Sequence, residues 1–139
     1  MMLDITDGKN LPGYKKKSFV LHYNGGEIWF EHLDGIYGYE NLVLEKLAND
    51  THEFLRPSST SFICFVFDET TVTNAIIDAV ENSVCKSGKQ FLKVAFTGID
   101  RRNANKIKKR LSGNGFAVGF SDGLEYAKEW LLSCEYDNY

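Results

Sequence analysis

The chain lacks the short signatures by which nucleotide-binding and common hydrolytic domains announce themselves. No GxGxxG follows the first apolar run and no GxxxxGK[ST] occurs anywhere, so neither of the usual glycine-built phosphate cradles is present. HExxH and GxSxG are missing too, which removes the helical zinc site and the strained serine elbow. The paired acids and late lysine of a receiver-type phosphorylation site are not where that fold needs them. The three cysteines, Cys64, Cys85 and Cys134, form no CxxC pair, and an odd number suits no simple disulfide framework. A reducing cytoplasm is the expected setting, with no metal and no cofactor. No apolar run has the length needed to span a bilayer, and Met1-Met2-Leu3-Asp4-Ile5 is no signal peptide, so membrane insertion is not expected. A formal charge of −3 argues against nucleic acid as partner while permitting a local basic patch.

What is present is enough for one core. With 139 residues, 43% of them apolar and 25% charged, the composition is that of a single globular domain that needs no staples. Residues 1–17 hold Asp7-Gly8, Pro12-Gly13 and Lys15-Lys16-Lys17 without a sustained period, and read as a flexible N-terminal arm. The domain proper is expected over 18–134, with a frayed tail at 135–139.

The centre of that domain is the run 61–67, Ser-Phe-Ile-Cys-Phe-Val-Phe, apolar on both faces as a strand inside a parallel sheet must be. Asp68-Glu69-Thr70-Thr71 interrupts it. From Val72 the period changes to that of a helix, with Val72, Ala75, Ile76, Ala79, Val80 and Val84 on one face. Before this centre, 19–23 and 27–31 flank Asn24-Gly25-Gly26 as a hairpin, the glycines supplying the positive φ of a tight turn. His22 there is read as structural or exposed, and all three histidines are placed away from the strand ends. The segment 34–39 is a glycine-broken loop whose Tyr37 and Tyr39 either frame a ligand or lid the core. A helix over 40–50 follows, then a connector over 51–59 stopped by Pro57. After the centre, a strand over 91–96 leads to a helix over 101–111 capped by Asp100. A strand over 116–120 leads to a last helix, started by Asp122 and Glu125 as a capping box, with Leu124, Ala127, Trp130, Leu131 and Cys134 turned inward.

The order β-β-α-β-α-β-α-β-α predicts an α/β fold: a single mixed, mostly parallel five-stranded sheet packed with about four helices, the hairpin at one side. Open sheets of this kind place their working residues where strands end and helices begin. Here those positions hold Asp68, Thr70, Thr71, Thr73, Asn74, Asp100, Arg101 and Arg102. The hydroxyls at 70–73 read either as helix caps or as a surface for an anion or a partner's carboxylate. Arg101, Arg102, Lys106, Lys108, Lys109 and Arg110 put six of the sixteen Lys and Arg on one helix, two of them opposing its dipole. They read either as a solvated face or as an electrostatic contact to an acidic partner.

The order and lengths of these elements, with a central strand entering a hydroxyl-bearing helix start at 68–74 and a closing segment from Gly113 to Ala127, resemble the STAS family of anti-sigma factor antagonists and related domains. In that family an Asp-Ser-Ser-Gly stretch sits where this chain has Asp68-Glu69-Thr70-Thr71-Val72-Thr73-Asn74, and phosphorylation of its serine switches protein binding. The resemblance implies a non-enzymatic regulatory or protein-interaction module in bacterial signalling, with Thr70, Thr71 or Thr73 in the serine's place and the glycine absent. Two other readings stay open: a small-ligand or lipid carrier or sensor, given ten Phe, seven Tyr and two Trp, and an enzyme using Asp68, Glu69 and Asp100 as carboxylates at neighbouring strand ends.

Overall fold

A computed structural model of the chain describes residues 8–23, 26–55, 60–86 and 88–134. The elements in order are α1 (Pro12–Lys15), β1 (Phe19–Tyr23), β2 (Gly26–His32), α2 (Glu40–Phe54), β3 (Thr60–Val66), α3 (Asn74–Cys85), β4 (Lys93–Thr97), α4 (Arg101–Leu111), β5 (Ala117–Ser121) and α5 (Leu124–Leu132). The hairpin turn at 24–25, the Pro57 stop, residues 1–7 and the tail 135–139 lie outside the described residues.

The five strands form one sheet in the order β1-β2-β3-β4-β5. Only β1 pairs antiparallel; β2 through β5 run parallel. The mixed, mostly parallel sheet expected from the apolar patterning is therefore the sheet observed, with the doubly apolar run at its centre. Because β2 to β5 advance one way across the sheet, right-handed crossovers must place α2, α3 and α4 on the same face. They share one core with Trp29, Ile63, Phe65, Val94, Phe96 and Val118. Phe65, Phe96 and Phe120 stand side by side in the register and stack with ring centroids 5.3 and 5.2 Å apart. Following the last strand, α5 is free of that constraint. It covers the other face, where Ala127, Trp130 and Leu131 meet Ile28, Phe30, Cys64, Ala95 and Ala117.

Two residues fix α5 in place. Gly119 lies under Trp130, where an added Cβ would come within 2.8 Å of the indole. Lys93, wholly buried, donates from Nζ to Trp130 O at 2.8 Å and Ser133 O at 3.0 Å. The ammonium thus sits on the orphan carbonyls and negative dipole end of α5.

Several expected boundaries shift. The helix over 40–50 runs on to Phe54, because Phe54 lies two turns beyond Leu47 on the same face and is buried against Trp29, Phe65 and Phe91. Strand β4 begins at Lys93, and Phe91 instead packs from the preceding loop. In α3, Ala75 is exposed and Ile77 buried, so the inward face is rotated from the expected one. The capping box at Asp122 and Glu125 does not form: Gly123 is the N-cap and no side chain caps it. Cys134 lies past the end of α5 and is exposed. Of the segment expected as an arm, residues 8–17 are packed on the domain. Gly8 lies against Tyr39 and Leu42, and Gly13 meets the backbone of Asp34 and Gly35 so closely that a Cβ would come within 2.3 Å of Asp34 O.

Candidate functional site at the carboxyl edge of the sheet

The register brings the ends of β2, β3 and β4 to one edge. Past those ends the backbone ladder does not stop. Leu33 N donates to Val66 O, Gly35 N to Asp68 O, Tyr37 N to Glu69 O and Thr71 N to Tyr37 O, at 2.8–3.0 Å. The loop after β2 is thereby zipped to the loop after β3. Thr70 locks the zip from within: its Oγ1 donates to Leu33 O at 2.6 Å and accepts from Ile36 N at 3.1 Å.

The cost of this arrangement sits on two residues. Tyr37 and Glu69 both hold positive φ, 55° and 56°, without being glycine. Left-handed backbone at such residues typically costs about 1–3 kcal/mol each and survives only where surrounding contacts over-determine it. Here they do, because the two residues hold each other. Besides the backbone bond, Tyr37 Oη donates to Glu69 Oε2 at 3.1 Å. That carboxylate, as hydrogen-bond acceptor and as nearby charge, raises the pKa of the Tyr37 phenol. Tyr37 nonetheless keeps 50% of its surface exposed, while Ile36 beneath it is fully buried and Tyr39 lids the core. Of the loop's two tyrosines, one is a lid and one faces outward.

The eight residues expected at this edge divide by task. Asp68 Oδ1 accepts from Thr97 Oγ1 at 2.7 Å, tying the β3 exit to β4. Close by, Gly98 has φ +73° and no room for a side chain: a Cβ would come within 2.4 Å of Asp68 N. Thr70 is the half-buried lock just described. Thr73 is the N-cap of α3, accepting from Ile76 N at 3.3 Å. Asp100 is the N-cap of α4, accepting from Asn103 N at 2.8 Å. Asn74 is exposed and accepts from Lys106 Nζ at 3.1 Å. Thr71, Arg101 and Arg102 are exposed, the arginines at the first two positions of α4. Asn103 Nδ2 donates to Val72 O at 3.3 Å, so the first turn of α4 is attached to the same loop that carries Thr71. Further along α4, Arg110 pairs with Asp78 and Glu81 of α3, which gives part of the basic cluster a structural use.

Sequence patterning placed His32 away from the strand ends, but it is the last residue of β2 and lies beside Val66. Its Nδ1 is 2.9 Å from Asp34 Oδ1, and Lys16 Nζ is 3.2 Å from Asp34 Oδ2. Burial alone would raise the Asp34 pKa; the hydrogen bonds from His32 and Lys16 outweigh it and hold the carboxyl below its usual range. An open groove of about 670 Å³ runs beside this loop, lined by Leu11, Pro12, Gly13, Lys15, Lys16, Asp34, Gly35 and Tyr37. It includes neither Asp68 nor Asp100.

The three carboxylates of the enzymatic reading do not converge. Asp68 is bound to Thr97, Glu69 to Tyr37 and Asp100 to Asn103. Among the described residues no three His, Cys, Asp or Glu side chains are grouped to hold a metal ion, and no helix is long and apolar enough to cross a membrane. No protein-family model, curated protein or solved structure matches the chain.

Proposed function

We propose that the chain is a non-catalytic, STAS-like regulatory module that acts in the cytoplasm, in bacterial signalling of the anti-sigma antagonist type. It binds a protein partner through the carboxyl edge of its sheet. The observation that carries this reading is the mutual locking of Tyr37 and Glu69: strain is spent on holding an exposed aromatic and an exposed hydroxyl, Thr71, in a fixed surface. Strain of this kind concentrates where shape must be kept for a function. An exposed, rigid tyrosine is the side chain most suited to anchoring a partner, since it offers contact area at little entropic cost. The element order and the hydroxyl-bearing start of α3 support the same reading.

Of the three threonines in the serine's place, Thr70 and Thr73 spend their hydroxyls inside the fold, on Leu33 and Ile36 and on the α3 cap. Thr71 is the one turned to solvent. Glu69, two positions before it, disfavours an added phosphate by repulsion, so direct contact rather than phosphorylation is the favoured role. Arg101 and Arg102 flank this surface and steer an acidic partner toward it.

The test is quantitative binding of the cellular partner by Thr71→Ser and Thr71→Glu. Both variants keep the fold, because Thr71 is exposed. T71S is expected to bind as wild type, and T71E about tenfold or more weakly, the loss of roughly 1.4 kcal/mol that one blocked contact brings. Equal binding by the two variants would remove this edge as the working surface.

A further inference from the structure

Glu31 lies in β2 with none of its surface exposed. It shares a face of the sheet with Trp29, whose Nε1 donates to Glu31 Oε1 at 2.8 Å. The second oxygen, Oε2, is buried and no donor among the described residues faces it. Lys46 acts on Glu31 as a nearby charge and makes no hydrogen bond to Oε2. Lys46 Nζ, from α2, bonds to His32 O and to Ser18 Oγ at 3.3 Å, and pairs with Asp50 Oδ2 at 3.5 Å.

From α2 come Asp50, whose Oδ2 accepts from Ser18 Oγ at 2.8 Å, and Lys46. From the segment before β1 comes the Ser18 hydroxyl, which also accepts from His32 N at 2.9 Å. From β3 the register neighbour is Phe65, which carries no charge. From β2 itself comes the Trp29 indole. A carboxylate in this setting would leave one bare buried oxygen beside a second carboxylate, an arrangement that costs far more than a lost surface hydrogen bond. A carboxylic acid avoids it, because its hydroxyl can donate to Asp50.

We propose that Glu31 and Asp50 share one proton, forming an acid–carboxylate pair that latches β2 to α2 and couples the seating of residues 16–18 to protonation. The proton stays on Glu31 Oε2 and is donated as a hydrogen bond to the Asp50 carboxylate, which also holds Lys46 and Ser18. Burial first, then the Asp50 hydrogen bond and charge, push the Glu31 pKa up to about 9, against the opposing effects of Trp29 and Lys46. Ionising Glu31 sets a second negative charge against Asp50 and competes for Lys46. The contacts loosened are then those of Lys46 to Ser18 Oγ and Asp50 Oδ2, and Ser18 seats the chain just after Lys16 and Lys17.

The sign follows from linkage. A carboxyl with a raised pKa in the fold favours the folded state fully only below its unfolded value, and that advantage drains away as pH rises to the folded value. The unfolding equilibrium constant of the wild type, relative to Glu31→Gln, is therefore expected to rise up to about tenfold per pH unit between roughly pH 5 and 9. Glutamine keeps the acceptor for Trp29 and a donor for Asp50, and does not titrate. A direct readout needs no variant: the side-chain carboxyl carbon of Glu31 in the wild-type protein, followed by NMR, should titrate with a midpoint near 9. Asp50→Asn should move that midpoint down by removing the facing charge. Trypsin cleavage after Lys15–Lys17 should rise in the wild type above pH 9 relative to E31Q. A Glu31 midpoint in the ordinary range near 4–5, or wild-type and E31Q stabilities that run parallel in pH, would overturn the shared proton.

Discussion

Thr70→Val removes one oxygen and tests whether the two loops of the carboxyl edge are truly interlocked. Valine keeps the shape, so the change isolates two hydrogen bonds: the donation to Leu33 O and the acceptance from Ile36 N. Both partners are backbone groups of fully buried residues, and neither finds a substitute when the hydroxyl goes. An unsatisfied buried backbone group costs about 1–3 kcal/mol; taking the low end for each gives a total of roughly 2 kcal/mol. With ~2.1 cal/mol/K of unfolding entropy per residue, a 139-residue domain has about 0.3 kcal/mol/K, so the melting temperature should fall by about 7 °C. Urea denaturation followed by circular dichroism, with thermal melts alongside, measures both. Thr70→Ser keeps the hydroxyl and should recover most of the loss, whereas Thr71→Val, exposed, should stay within about 0.5 kcal/mol of wild type. If T70V and T71V are equally harmless, Thr70 is not a lock and the rigidity ascribed to this edge is wrong.

Two further outcomes follow from local geometry. Gly98→Ala should destabilise by about 3 kcal/mol or more, because its Cβ would collide with Asp68 N in a left-handed backbone, whereas Gly113→Ala, at φ +80° with open space around it, should cost only ~1–2 kcal/mol; equal costs in denaturant titrations would refute the close approach of the two loops. With iodoacetamide near pH 8, Cys134 should be alkylated first and Cys64 last, since burial, with some help from Asp68, drives the Cys64 thiol far above its usual pKa; mass spectrometry showing early modification of Cys64 in the folded protein would contradict its placement.

The fold was legible where period and punctuation agreed. The run at 61–67 is apolar on both faces, and only a central strand of a covered sheet uses such a pattern. Helix α4 was found end to end because Asp100 caps it, Ala104, Ile107 and Leu111 space its stripe, and Gly113 follows it. Helix α2 was cut short because Thr51, His52 and Glu53 interrupt the stripe that Phe54 resumes. Buried charges misled more deeply. Glu31 and Lys93 are charged residues inside strands, yet both are buried: Glu31 is held by Trp29 two residues away, and Lys93 by Trp130 and Ser133 far along the chain. The site shows the same limit. That Asp68–Asn74 lies at a strand end could be read from composition alone, and Asp100 and Thr73 could be read as caps. The pairing of Tyr37 with Glu69 joins loops some thirty residues apart, and nothing in either loop names the other. A positive φ on a tyrosine leaves no trace in the sequence; only Gly35 and Gly38 on either side of it hint that the loop turns sharply.

The most direct measurement is a map of contact made in living cells. A photoreactive phenylalanine analogue placed singly at Tyr37, Thr71 and Arg102, and for comparison at exposed Glu129 on α5 across the sheet, would be irradiated and the crosslinked products resolved by mass spectrometry. The expected result is one discrete protein partner joined at 37, 71 and 102 and absent at 129. Crosslinks to that partner from 129 with none from the carboxyl edge would contradict the central claim.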